Sequence, residues 1–157
     1  MIAHILCATN LSPHADEALR IAVHMAAKYN AKLTMLNVHE EFMDKDEMVM
    51  LRVSVEQMQE HFREIAIRCR EQMKKLVTAV GVDDLQVEYL LREGSAAKEI
   101  LEIAAELGAK LPAHNTVIIV LGIHAKEGLV GHLLGSVADH VVRYATCPVL
   151  VIPYEVD

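Results

Sequence analysis

The feature that most constrains this chain is a regular alternation of short apolar runs with longer amphipathic stretches. Five runs read as strands: Ile2 to Ala8, Leu33 to His39, Leu85 to Leu91, Thr116 to Leu121 and Val149 to Ile152. The run Thr116 to Leu121 (TVIIVL) is apolar throughout, as a strand covered on both faces must be. Between the runs, apolar residues recur at steps of three and four, the period of one helix face. The first such stripe is Ala15, Ala18, Leu19, Ala22, Val23 and Ala26, ending near Asn30. The second and longest is Met48, Leu51, Val55, Met58, Phe62, Ile65, Cys69, Met73, Leu76 and Val80, with Gly81 as its stop. The stretch from Glu40 to Asp46 reads as a loop. A third helix is expected over Ala96 to Leu107, opened by Ser95 and closed by Gly108, and a fourth over Val137 to Tyr144.

A helix after every strand returns the chain to the same edge, so successive strands run parallel through right-handed crossovers. The expected fold class is therefore α/β: a three-layer open parallel five-stranded sheet with helices on both faces, as a single domain over residues 1–157. The chain is 53% hydrophobic, enough for a core without disulfides or metal. Aromatic residues are 4%, so that core must be aliphatic. The three cysteines, Cys7, Cys69 and Cys147, are widely spaced and form no CxxC pair, which fits a reduced, cytoplasmic protein. The start, Met1 to Asn10, has neither a basic region nor a small-residue cleavage site. No apolar run approaches the ~20 residues that span a bilayer. The formal net charge of −7 argues against nucleic acid, whose phosphates require Lys and Arg.

In sheets of this class a ligand sits beyond the carboxyl ends of the strands, where the direction of winding reverses. Those ends are Ala8-Thr9-Asn10, Val38-His39, Gly94 and Leu121-Gly122. Ser12 and Pro13 suit a helix start. One constellation stands out: Gly122-Ile123-His124-Ala125, nine residues, then Gly135-Ser136-Val137. Glycines allow close backbone approach and positive φ, and a helix start favours phosphate. Ser136 with Asp139 three residues on is also an ordinary capping arrangement, and both readings stand. His124 reads either as a loop residue facing solvent or as a phosphate contact. No Walker GxxxxGK[ST] occurs, because Gly131 to Ser136 lacks the lysine, and no GxGxxG follows the first strand. No HxxxH or HExxH pair points to a metal, and no catalytic set of Ser, Cys, His and Asp is defensible.

The residues Gly122, Gly135-Ser136-Val137 and Cys147-Pro148-Val149-Leu150-Val151-Ile152, together with Ile5 to Ser12 and Gly94-Ser95-Ala96, resemble universal stress proteins of the ATP-binding type. The resemblance implies a Rossmann-like fold of the adenine-nucleotide α-hydrolase kind. It also implies a regulatory protein of stress adaptation that binds ATP with Mg²⁺. On the family pattern, Ala8, Thr9 and Asn10 would line the nucleoside pocket and Val38 would present its backbone to adenine. Leu121, Gly122 and Ala125 would lie by ribose and phosphates, and Gly135, Ser136 and Val137 would hold the phosphates. Two departures are visible: Ala125 replaces the second motif glycine, and Asn10 replaces an aspartate. They favour the alternative of a dimeric adaptor of the same family that binds no nucleotide. A slow ATPase or phosphotransferase is the enzyme alternative; no general base or transition-state arginine supports it. The resemblance further implies a homodimer paired through Val149 to Ile152 and an unidentified protein partner, while the charge and the lack of a spanning run leave neither nucleic acid nor membrane as an expected ligand.

Overall fold

The computed structural model describes residues 1–40, 45–125 and 134–155, with backbone alone at positions 45, 124, 125 and 155. The strands are β1 (Ile2–Ala8), β2 (Lys32–His39), β3 (Val87–Glu93), β4 (Thr116–Ala125) and β5 (Val149–Glu155). The helices are α1 (Asp16–Tyr29), α2 (Lys45–Met50), α3 (Val55–Ala79), α4 (Ala96–Ala109) and α5 (Ser136–Tyr144). All pairings are parallel, in the order β3-β2-β1-β4-β5. The expected α/β class, with a parallel sheet between helices, is the observed one.

Side chains alternate across each strand, so the sheet feeds two cores. On one face Ile5, Cys7, Leu33, Met35 and Val120 pack with Ala18, Leu19, Ala22, Val23 and Ala26 of α1 and Met73 and Val77 of α3. On the other, Leu6, Leu36, Ile119 and Leu121 pack with Ile100, Ile103 and Ala104 of α4 and Ala138 and Val141 of α5. The alanines of α1 let that helix lie close to the sheet. At about 25 cal/mol per Å² of apolar surface removed from water, these two clusters dominate the driving force for folding.

Several expected boundaries move. The long stripe from Met48 to Val80 is two helices, not one. Ser54 and Gln57 form a capping box, each side chain accepting the other residue's backbone N–H at 3.1 and 2.9 Å, and this starts α3 afresh. Arg52, at φ 56, turns the chain between the two helices. Leu51 and Val55, expected in the stripe, are therefore each 59% exposed. Gly81 does stop α3, at φ +76. Gly108 does not close α4; the helix runs through it to Ala109. Ser12 and Ser95 stand at helix starts, but neither side chain makes a capping hydrogen bond. Pro13 begins a short 3-10 turn, Pro13–Ala15, ahead of α1.

The third strand lies two residues later than expected. β4 and β5 both run beyond their expected ends, because Gly122 pairs with Ile152, Ile123 with Pro153 and His124 with Tyr154. Pro153 is tolerated because β5 is an edge strand, with one side free of ladder bonds. Gly122 is thus a strand residue rather than the first of a loop. Positions 126–133 of the stretch between Gly122 and Gly135, with their glycines and histidine, and positions 41–44 of the Glu40 to Asp46 stretch lie outside the described residues.

Candidate functional site

The sheet order places the reversal of winding between β1 and β4. A cleft of about 180 Å³ opens there, at the carboxyl ends of the strands. Its floor is Ala8 and Leu121, register partners on β1 and β4, with Leu36 beside them on β2. Val38, the first turns of α4 at Ala96 and Ile100, and Val137 of α5 complete an aliphatic chamber. Thr9, Asn10 and Ser12, which follow β1, supply polar groups, and Ala15, Gly122 and Tyr154 close the remaining side. None of these lining side chains carries a formal charge.

The turn after β1 is shaped by its own side chains. The Thr9 N–H donates to the Leu36 carbonyl at 2.9 Å, a backbone bond that ties this end of β1 to β2. The Leu11 N–H donates to the Thr9 hydroxyl oxygen at 3.0 Å, and the Ser12 N–H to Asn10 Oδ1 at 3.0 Å. Short polar side chains commonly bond the backbone two residues on in this way. The Asn10 acceptor that would face a ligand is thereby engaged in the turn, and its amide N–H groups remain as donors. Leu11 has φ 59, a left-handed conformation rare for leucine.

Seven of the expected site residues line the cleft together: Ala8, Thr9, Asn10, Val38, Leu121, Gly122 and Val137. Gly135 and Ser136 are exposed at the start of α5 and are not part of the lining. Gly135 is the N-cap, at φ −54, and a Cβ built on it meets nothing within 4 Å. The positive φ expected of the glycine motif is thus absent at Gly135, and Gly122 likewise shows none. Ser136 is the first helical residue, and it makes no capping bond with Asp139, which pairs instead with Arg143 at 2.9 Å. The first amides of α5 have no partner within the helix, which is the physical basis of anion binding at such ends. Ala125 ends β4, and its side chain is not described.

Sequence reasoning missed Ser12, Ala15, Leu36, Ala96, Ile100 and Tyr154 as lining residues. Ala96 and Ile100 are four apart, on one face of α4, a signal the sequence carried. Tyr154 had none, because it depends on β5 continuing past Pro153. Its ring stacks on His14, centroids 4.8 Å apart and planes 4° from parallel.

The chemistry available is recognition of an apolar group by the chamber and of hydroxyls by Thr9, Asn10 and Ser12. Among the described residues no three His, Cys, Asp or Glu side chains come together to hold a metal. Burial pushes the Cys7 thiol up to about 12, so it is an inert core group. Among the described residues no helix is long and apolar enough to cross a membrane.

The model of the universal stress protein family matches residues 1–153. Universal stress protein YxiE of Bacillus subtilis is 30% identical over 157 residues, covering 97% of this chain and 99% of the relative. Universal stress protein MJ0531 of Methanocaldococcus jannaschii is 32% identical over 150 residues, covering 94% and 80%. Among solved structures, hypothetical protein MJ0577 superposes with a TM-score of 0.71 at 26% identity, covering 100% of this chain and 99% of that one. A universal stress protein in complex with cAMP superposes at 0.67 and 20% identity, covering 96% of each, a likeness of fold. With the family model matched from the first strand into the last, and relatives similar over nearly their full length, this chain belongs to the universal stress protein family.

Proposed function

We propose that this protein binds an adenine nucleotide, ATP with Mg²⁺, in the cleft between β1 and β4, and acts as a cytoplasmic regulatory protein of stress adaptation. The observation that carries the reading is the cleft itself. Its aliphatic chamber of Leu36, Val38, Ile100 and Leu121 suits a flat purine, and its polar rim of Thr9, Asn10 and Ser12 suits a ribose. Relatives of the same fold in complex with cAMP and with dAMP support an adenine nucleotide as the ligand class. Ala8, Thr9, Asn10, Val38, Leu121 and Gly122 would surround the nucleoside. Ala125, Gly135, Ser136 and Val137 would face the phosphates, with the free amides of α5 supplying positive dipole. Among the described residues the lining offers no general base and no cation, which supports slow ATP hydrolysis at most.

The test is calorimetric titration of nucleotide-stripped protein with Mg·ATP, with Gly135→Asp as control. A Cβ at Gly135 meets nothing within 4 Å, and aspartate is a good N-cap, so the variant is expected to fold. It would place a negative charge against the phosphates. Micromolar binding that the control abolishes is the expected result. No binding up to millimolar Mg·ATP would sink the proposal.

The second reading is a dimeric adaptor without nucleotide, favoured by Asn10, whose acceptor oxygen is engaged by the Ser12 N–H. Either way we propose a homodimer through Val149 to Ile152, because β5 is an edge strand with its outer ladder positions open. A sedimentation experiment showing only monomer at micromolar concentration would overturn the dimer.

A further inference from the structure

We infer that Asn37 is a positioning residue for the cleft, gripping the Thr9–Ser12 turn from the opposite face of the sheet. Leu36 and Val38 line the cleft, so the alternation of β2 sends the Asn37 side chain to the other face. There Leu33 and Met35 pack against α1 and α3. Asn37 is 6% exposed in this aliphatic layer, where a polar group is costly unless it is bonded. Its Nδ2 donates to the Thr9 carbonyl at 2.9 Å. The orientation of the amide follows from chemistry, because a carbonyl oxygen can only accept.

The bond falls where the chain leaves the sheet. The Thr9 N–H is still tied to β2, while Leu11 is already left-handed at φ 59. Such a conformation persists only where its surroundings enforce it. Among the described residues two groups reach this turn from behind. Gln72 Nε2 of α3 points at the Leu11 carbonyl from 3.5 Å and is exposed, at the limit of a hydrogen bond. Asn37 is buried and at ideal distance, so it is the effective grip. Fixing the Thr9 carbonyl fixes the plane of the Thr9–Asn10 peptide, and with it the direction in which Asn10 and the Thr9 hydroxyl face the cleft. What the turn presents to a ligand rests on the nucleotide-binding reading; that Asn37 shapes the turn does not.

The experiment uses the full chain with Asn37→Asp and Asn37→Leu, and Gln72→Ala as control. Two quantities are read: hydrogen-exchange protection of the Leu11 and Ser12 amides by NMR, and affinity for Mg·ATP by calorimetry. At pH 7.5 Asn37→Asp sets a carboxylate oxygen against a carbonyl oxygen. Protection and affinity should each fall about tenfold, the scale of one hydrogen bond lost. At pH 5 the carboxyl, its proton retained by burial, donates in the amide's place, and both should recover. Asn37→Leu, which has no donor at either pH, should fall without recovery and covers the case in which the charged variant does not fold. Gln72→Ala should match the wild type. A merely structural role would lower the melting temperature without a pH-reversible change at Leu11 and Ser12. Wild-type protection of both amides in the Asn37 variants would overturn the inference. If wild-type protein binds no Mg·ATP, the nucleotide reading fails, and the exchange data alone decide on Asn37.

Discussion

His4 Nε2 lies 2.7 Å from the Thr34 hydroxyl oxygen, a polar pair buried on adjacent strands. Burial lowers the His4 pKa from its ordinary value, nearby Lys32 lowers it further, and Glu88 opposes both. The unfolded chain therefore takes up the proton at higher pH than the folded one. Stability from this site is complete above the ordinary histidine value of about 6.5 and falls as pH drops below it. Thermal melts should be flat from pH 7 to 8 and decline between pH 6.5 and 5. The paired variant His4→Leu, Thr34→Val should show a shallower decline over that window; an equal one would assign the acid sensitivity elsewhere.

Ser54→Ala removes one half of the capping box that starts α3. The expected cost is about 1 kcal/mol in a urea titration. Gln57→Ala should cost less, since the Ser54 bond to the Gln57 N–H survives it. No loss in Ser54→Ala would mean that packing of Ile65, Met73 and Val77 alone sets where α3 begins.

A Cβ added at Gly122 would stand 3.4 Å from the Ala18 Cβ, at ordinary contact distance, so the gap between β4 and α1 there takes one methyl group. Gly122→Ala should be nearly neutral in stability. Ala18→Leu should cost ~1–3 kcal/mol, because a larger side chain must push α1 from the sheet. Melting curves of the two variants would show the order; comparable losses would place the constraint in the backbone of Gly122 instead.

Thiol titration at pH 8 should divide the cysteines. Cys7 is fully buried with its pKa pushed up to about 12, and should react only on unfolding. Cys69 and Cys147 are partly exposed, with thiols raised by burial, and should react slowly in the native protein. Rapid labelling of Cys7 under native conditions would mean that β1 opens on that timescale.

Most of the fold was legible because the two periods in the chain are separate physical signals. The all-apolar run at Thr116 and the alanine stripe of α1 are each readable within a window of a few residues, and so are the turns at Asn30 and Gly81. The candidate cleft was legible as far as strand ends define it: Ala8, Thr9, Asn10, Val38, Leu121 and Gly122 fall at the carboxyl edge of any parallel sheet with this order. The glycine constellation and the resemblance to a known family together added Ala125, Gly135, Ser136 and Val137, of which Val137 alone is in the described lining.

What the sequence determined by itself is the parallel α/β sheet, the aliphatic core and the edge at which a ligand would sit, since these follow from local periodicity and the handedness of crossovers. The tertiary structure decided where elements end and which side chains meet. Pairing between β4 and β5 carries both strands past Gly122 and Pro153 and brings Tyr154 to the cleft. Asn37 reaches the Thr9 carbonyl across 28 positions of chain. Such contacts arise only when distant segments are brought together, because a ladder bond or a buried amide is stabilised by its partner and not by its neighbours in sequence.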